Sequence, residues 1–141
     1  MTDQQFRDFG KTGLTPHLTK PQLQAIKGDM VALVNTSKLE ARQVPWFKPS
    51  QVAKFTSQQF KDLGEAGLLK NLTERLVPAV PETMIDSVDV AKLDPKQVPW
   101  LTEKQIPVLT RDQWGAFTIH HTEALIQPQI EAVTPKQFGE M

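Results

Sequence analysis

From Leu93 to Phe138 one eight-residue phrase is written six times without a gap, and few architectures can accommodate that period. Its first place holds Leu93, Leu101, Leu109, Phe117, Leu125 and Val133, and its sixth holds Val98, Ile106, Trp114, Thr122, Ile130 and Phe138. The second place is Asp94, Thr102, Thr110, Thr118, Ile126 and Thr134, and the fifth is Gln97, Gln105, Gln113, His121, Gln129 and Gln137. Thr or Asp followed three residues later by Gln is a capping box, in which the hydroxyl or carboxylate accepts from the N3 amide and the Gln reaches back to the N-cap amide. Around it, Leu101 and Ile106 have the spacing of a hydrophobic staple. Pro95 and Pro135 fall at the first helical position, where a missing N–H costs nothing.

One long amphipathic helix does not explain the pattern. At 100° per residue an octad drifts by roughly 80°, so its apolar stripe would wind around such a helix instead of lining one face. Pro99 and Pro107 also remove amide donors just after a first turn. Residues 93–109 therefore read as single helical turns joined by short extended links. The later octads lack that proline, and the spacing predicts a longer helix over 111–127, loosened at Gly115.

A larger period encloses the octads. Thr2-Asp3-Gln4-Gln5-Phe6 returns as Thr56-Ser57-Gln58-Gln59-Phe60, and Gln43-Val44-Pro45-Trp46 returns as Gln97-Val98-Pro99-Trp100, both at an offset of 54. Without gaps, 20 of 54 positions are identical between 2–55 and 56–109, too many and too evenly spread to be compositional. Residues 1–55 are expected to form one unit, 56–109 a second, and 110–141 a partial third unit or a C-terminal cap. Breaking off within a third copy suggests a piece of a longer array, or an end where the last octads act as a cap.

Within a unit, Thr2 is expected to cap a short helix carrying Phe6 and Phe9, broken by Gly10 and Gly13, as Gly64 and Gly67 break the second copy. Lys11-Thr12 does follow Gly10, but no apolar strand precedes it, so the glycines read as turns and not as a phosphate loop. Thr19, with Gln22 at N3, opens a stretch in which Leu23, Ile26, Met30, Leu33 and Val34 recur at helical spacing, predicting the best amphipathic helix of the first unit. Its counterpart, Thr73 to Val90, carries Pro78 and Pro81 and is expected to be broken. No segment shows sustained alternation. The expected fold is all-α, a tandem-repeat helical solenoid of short capped helices in 54-residue units containing octads.

The octads resemble arrays of short Leu-Thr-x-x-Gln-apolar repeats found in large bacterial secreted, surface or injected proteins. The residues that carry the resemblance are Leu101 to Ile106, Leu109 to Trp114 and Val133 to Phe138. It implies a helical scaffold and transfers no catalytic residue.

Charge narrows the partners. With 16 basic and 16 acidic residues the chain lacks the net positive charge that a nucleic acid or an anionic membrane surface would select. The balance runs from +4 over residues 2–55 to −2 over 56–109 and −2 over 110–141. That gradient is compatible with drift between repeats or with head-to-tail complementarity. No apolar run is long enough to insert into a membrane, and Met1 to Gln5 has neither the basic nor the apolar part of a secretory leader. A soluble protein is expected, cytoplasmic or secreted without a leader. The absence of cysteine excludes disulfide and thiol chemistry.

Little else suggests chemistry. His120 and His121 are neighbours pointing about 100° apart on a helix and make a poor chelate, and His121 stands in the Gln place as a capping group. Ser37, Ser50, Ser57 and Ser87 have no nearby His, and Asp86 and Asp89 sit where helix ends explain them. No catalytic, cofactor-binding or metal-ligating residue is therefore expected. Trp46 and Trp100 occupy equivalent eighth places. Facing solvent, they would be repeated aromatic anchors for a partner; facing the next unit, they would pack it, and packing is favoured by the area such rings bury. The expected function is a non-enzymatic scaffold for protein–protein interaction. The alternatives are an assembly element stacked head to tail, or a segment of a secreted bacterial effector or toxin.

Overall fold

The computed structural model describes residues 4–5 and 13–140, so the expected helix with Phe6 and Phe9, and its break at Gly10, lie outside the described residues. The described chain is helical, with eight α-helical and nine 3-10 elements and no β-strand. The longest, Ser57–Glu65, has nine residues, and several have only three. Elements this short follow from the caps. Thr19, Thr56, Thr110 and Thr118 hold extended backbone before a helix, each with its hydroxyl accepting from the N3 amide. Leu39, Leu93, Leu101, Leu109 and Phe117 are extended again immediately after one. Each octad thus spends its first place on a buried or partly buried apolar link and its second on starting the next turn.

Several expectations are overturned. Gly64 does not break the helix of the second copy but lies buried inside Ser57–Glu65, and the turn comes at Gly67. The stretch from Leu23 to Val34 is not one helix: it divides into Lys20–Gln24 and Gly28–Val31, with Lys27 extended between them. Residues 111–127 likewise form Arg111–Ala116 and Ile119–Glu123, followed by Gln127–Ala132. The break is at Phe117, not Gly115. The Phe117 link and the Thr118 capping box impose it without any proline. Proline is conversely a weaker stop than expected, since Pro45 and Pro99 lie inside the 3-10 elements Ala41–Trp46 and Pro95–Trp100. The stretch from Thr73 to Val90 is broken as anticipated, into Val77–Ala79 and Glu82–Ser87. Gly13 and Gly67 both take positive φ, 78° and 73°, a conformation that disfavours any side chain.

The core runs along the chain as one cluster, including Leu23, Val52, Phe60, Leu69, Ile85 and Ile106. Phe55 links it internally through rings 5.3 Å from Phe47 and 5.7 Å from Phe60. Elements about one quarter-century of residues apart lie against each other: Lys20–Gln24 against Ala41–Trp46, Ala41–Trp46 against Leu69–Asn71, Ser57–Glu65 against Glu82–Ser87, and Arg111–Ala116 against Val90–Lys92.

Buried among them is a row of glutamines. Gln43, Gln97, Gln105 and Gln129 are at most 1% exposed. Each accepts, through Oε1, the N-cap amide of its own turn: Glu40 at 2.8 Å, Asp94 at 2.7 Å, Thr102 at 2.9 Å and Ile126 at 3.0 Å. Its Nε2 then donates to two carbonyls of a turn far back in the chain. Gln105 reaches Val77 and Val80, both at 2.9 Å and 28 and 25 residues earlier. Gln51, Gln59, Gln97 and Gln113 repeat those offsets. Gln129 and Gln137 reach 31 and 28 residues back.

Gln105→Met, close in volume, leaves the Thr102 amide and the Val77 and Val80 carbonyls without the partner that Gln105 supplied. At about 1 kcal/mol for each bond the loss is roughly 3 kcal/mol. Urea unfolding is expected to show this as a lower midpoint with an unchanged slope, while Lys104→Met, on the exposed neighbour, stays within about 0.5 kcal/mol of the parent.

Candidate functional site

The two residues singled out as interaction candidates are both half-buried. Trp46 ends the Ala41–Trp46 element and Trp100 ends Pro95–Trp100, and each side chain packs against the core. The two elements lie on the same turn, Leu69 to Leu72: Ala41–Trp46 contacts it, and Gln97 donates to the Leu69 and Leu72 carbonyls. The Trp46 carbonyl accepts from Gln24 Nε2 at 3.0 Å. The side chains therefore contribute area to the packing while remaining partly accessible. Trp114 is different. It is 6% exposed, its ring lies 4.8 Å from Phe117, and its indole Nε1 is buried without a partner.

The histidines do not converge. His17 and His120 are exposed and His121 is buried, and among the described residues no three His, Asp or Glu side chains gather as a metal would require. His121 stands in the glutamine row. Its Nδ1 accepts from the Thr118 amide at 3.0 Å, and its Nε2 lies 2.7 Å from the Leu93 carbonyl, 28 residues earlier. An amide donor on one side and a carbonyl on the other assign the neutral tautomer protonated at Nε2. Imidazole thus reproduces the acceptor and one of the two donors of glutamine.

The residues that sequence reasoning missed are the glutamines themselves, read as caps alone. A cap needs only an acceptor, and Glu would serve it as well as Gln. Yet the fifth place from Gln97 to Gln137 is always an amide or an imidazole and never a carboxylate. Glu cannot donate, so that exclusion was the available signal of a second, donating role.

An open groove lies elsewhere, lined by Ala53, Pro78, Pro81, Glu82, Thr102 and Lys104. Neither Trp46 nor Trp100 lines it. In comparisons with known proteins, no family model, no curated protein and no solved structure matches the chain.

Two measurements check this geometry. His121→Gln is expected to hold or raise stability, by up to about 1 kcal/mol, by supplying a second donor to the preceding turn, whereas His121→Leu loses about 2 kcal/mol with both bonds. In acrylamide quenching, a Trp46→Phe/Trp100→Phe double variant, left with Trp114 alone, is expected to be quenched much less than a Trp114→Phe variant that retains the two half-buried rings.

Proposed function

We propose that the chain is a solenoid in which residues 1–55, 56–109 and 110–141 are successive units, and that it serves as a non-enzymatic scaffold binding another protein along its side. The observation that carries this reading is the fate of the buried polar side chains. Gln43, Gln51, Gln59, Gln97, Gln105, Gln113, Gln129 and Gln137, with His121, all bond backbone on two turns at once. Their polar chemistry is committed to stacking turn on turn, and nearest-neighbour stacking is what a repeat scaffold requires. The recurring half-exposed rings of Trp46 and Trp100 are the side's candidate anchors, since aromatic residues dominate the energetics of protein interfaces.

A second reading, assembly of copies end to end, is favoured by the location of exposed apolar residues. Ile119, Ile126, Ile130 and Phe138 are exposed within or just before the last three helical segments, and Leu14 and Val108 are exposed earlier in the chain. Four exposed apolar groups gathered within residues 119–138 form a surface that a second copy could cover.

The scaffold reading is tested by immobilising the protein beside its Trp46→Ala/Trp100→Ala variant and exposing both to extract from the source cell. The expected result is a discrete protein retained by the parent and lost from the variant, with the helical circular dichroism of both unchanged. An identical retained set on both would count against the tryptophan face as the site.

A further inference from the structure

The place just before a closed turn holds Gln43, Gln51 and Gln59 in one stretch of the chain and Gln97, Gln105 and Gln113 in a later one. In the stretch between them it holds Leu68, Leu76 and Met84. The backbone turns themselves are alike: Leu72 closes onto Leu69, Val80 onto Val77 and Val88 onto Ile85, as Leu101 closes onto Val98. What differs is the contact each turn makes with the one before it. All the side-chain bonds of Gln43, Gln51 and Gln59 stay within residues 13–65. Those of Gln97, Gln105, Gln113, Gln129 and Gln137 stay within 69–140. Among the described residues no side-chain hydrogen bond or ion pair joins the two groups, and only local backbone turns such as the Leu68 amide onto the Leu63 carbonyl connect them. The boundary lies inside the second 54-residue copy, not between copies.

The two groups meet along a seam where Ala41–Trp46 lies on Leu69–Asn71, Pro49–Val52 on Val77–Ala79 and Ser57–Glu65 on Glu82–Ser87. Val44, Phe60, Leu69, Val77 and Ile85 are buried in these elements. Apolar attraction is non-directional and follows buried area, whereas a hydrogen bond weakens steeply once its angle or length departs from a narrow range. A step clamped by a glutamine is therefore fixed in register, and the seam is not. Two grooves run along it: Ala53 faces Pro78, Pro81 and Glu82 across one of about 660 Å³, and Lys61 and Glu65 face Ser87, Asp89 and Lys92 across one of about 370 Å³. Asn71 Oδ1, in a turn packed on the seam, is buried without a partner, and opening would let water reach it. At Gly64 an added Cβ would lie 3.3 Å from Leu69 Cδ1 and 3.5 Å from Asp89 Cβ, so the seam closes there because no side chain intervenes.

We propose that this seam is a hinge, about which residues 13–65 and 69–140 move as two blocks, each held in register by its own glutamines. Gly67, with φ 73°, lies in the link between them. The hinge separates the two tryptophans. Trp46 is tied to the first block through its carbonyl, which accepts from Gln24 Nε2, and the Trp100 element is tied to the second through Gln97 on Leu69 and Leu72. Movement at the seam changes the span between the two rings and the width of the larger groove, so one scaffold fits partners of different curvature. That use of the movement rests on the scaffold reading above; the movement itself does not.

The chain has no cysteine, so introduced pairs carry spin labels at defined places for distance measurement by pulsed electron paramagnetic resonance. Lys48→Cys/Lys104→Cys spans two steps of the stack, one of them the seam, and Arg75→Cys/Lys136→Cys spans two steps inside the second block; all four positions are exposed. The distance distribution of the first pair is expected to be at least about twice as broad as that of the second. Adding Gly64→Leu, a wedge at the closest approach, is expected to lengthen the first distance by about 2 Å or more and to leave the second unchanged. Equal widths in the absence of the wedge, or a Gly64→Leu shift shared by both pairs, overturns the proposal. If Gly64→Leu loses its helical circular dichroism, the two widths without it decide alone. Equal widths alongside a partner retained through Trp46 and Trp100 would remove the hinge and leave the scaffold; unequal widths with no partner retained would do the reverse.

Discussion

A chain cut into helices of three to nine residues leaves most of its backbone donors and acceptors without an intrahelical partner. In a long helix this debt is confined to the two ends; here every element is nearly all end. Water cannot settle it for turns lying against one another, and each buried unpaired amide or carbonyl costs on the order of 1–3 kcal/mol. The glutamine at N3 addresses both sides of the problem. Its oxygen takes an orphan N–H at the start of its own turn, and its nitrogen supplies the orphan carbonyls at the end of an earlier one. Among the side chains, only Gln and Asn offer an acceptor and two donors on one planar group. Asn, one methylene shorter, lacks the reach.

That requirement explains features that look unrelated. The octad is one capped turn plus one apolar link, the shortest phrase that presents the amide and buries a Leu, Val or Phe beside it. His121 is tolerated because neutral imidazole has an acceptor and a donor on opposite sides of one ring. Where Leu76 occupies the N3 place after Thr73, the side chain is buried and the turn Val77–Ala79 lies on Pro49–Val52 by apolar packing instead. Turns are therefore joined both through a glutamine amide and, as here, without one. Exposed ion pairs such as Arg42 with Glu40 add little to such a structure.

Local chemistry was legible in the sequence and distant chemistry was not. The Thr110–Gln113 box, the extended Leu101 and Leu109 links and the positive-φ turn at Gly67 are determined by residues within a few positions of one another. The helix expected from Leu23 to Val34 failed because two successive turns can satisfy the same apolar spacing, and nothing local distinguishes one from the other. The partner of Gln43 is the Thr15 and Leu18 backbone, 28 and 25 residues away, and backbone carbonyls leave no mark in a sequence. Only the exclusion of Glu from the fifth place carried that information. For Trp46 and Trp100 the octad place could not decide between surface and packing, and the half-buried rings have a share of each.

Hydrogen exchange of the glutamine side-chain amides, resolved by NMR, tests the central claim most directly. The Nε2 protons of Gln43, Gln51, Gln59, Gln97, Gln105, Gln113, Gln129 and Gln137 should exchange slowly, at rates that follow unfolding. Those of Gln58 and Gln127, bonded only to the exposed carboxylates of Asp62 and Glu131, should exchange almost at once. Equal, fast exchange for both groups would mean that the buried amides do not hold the turns together, and would contradict the account at its base.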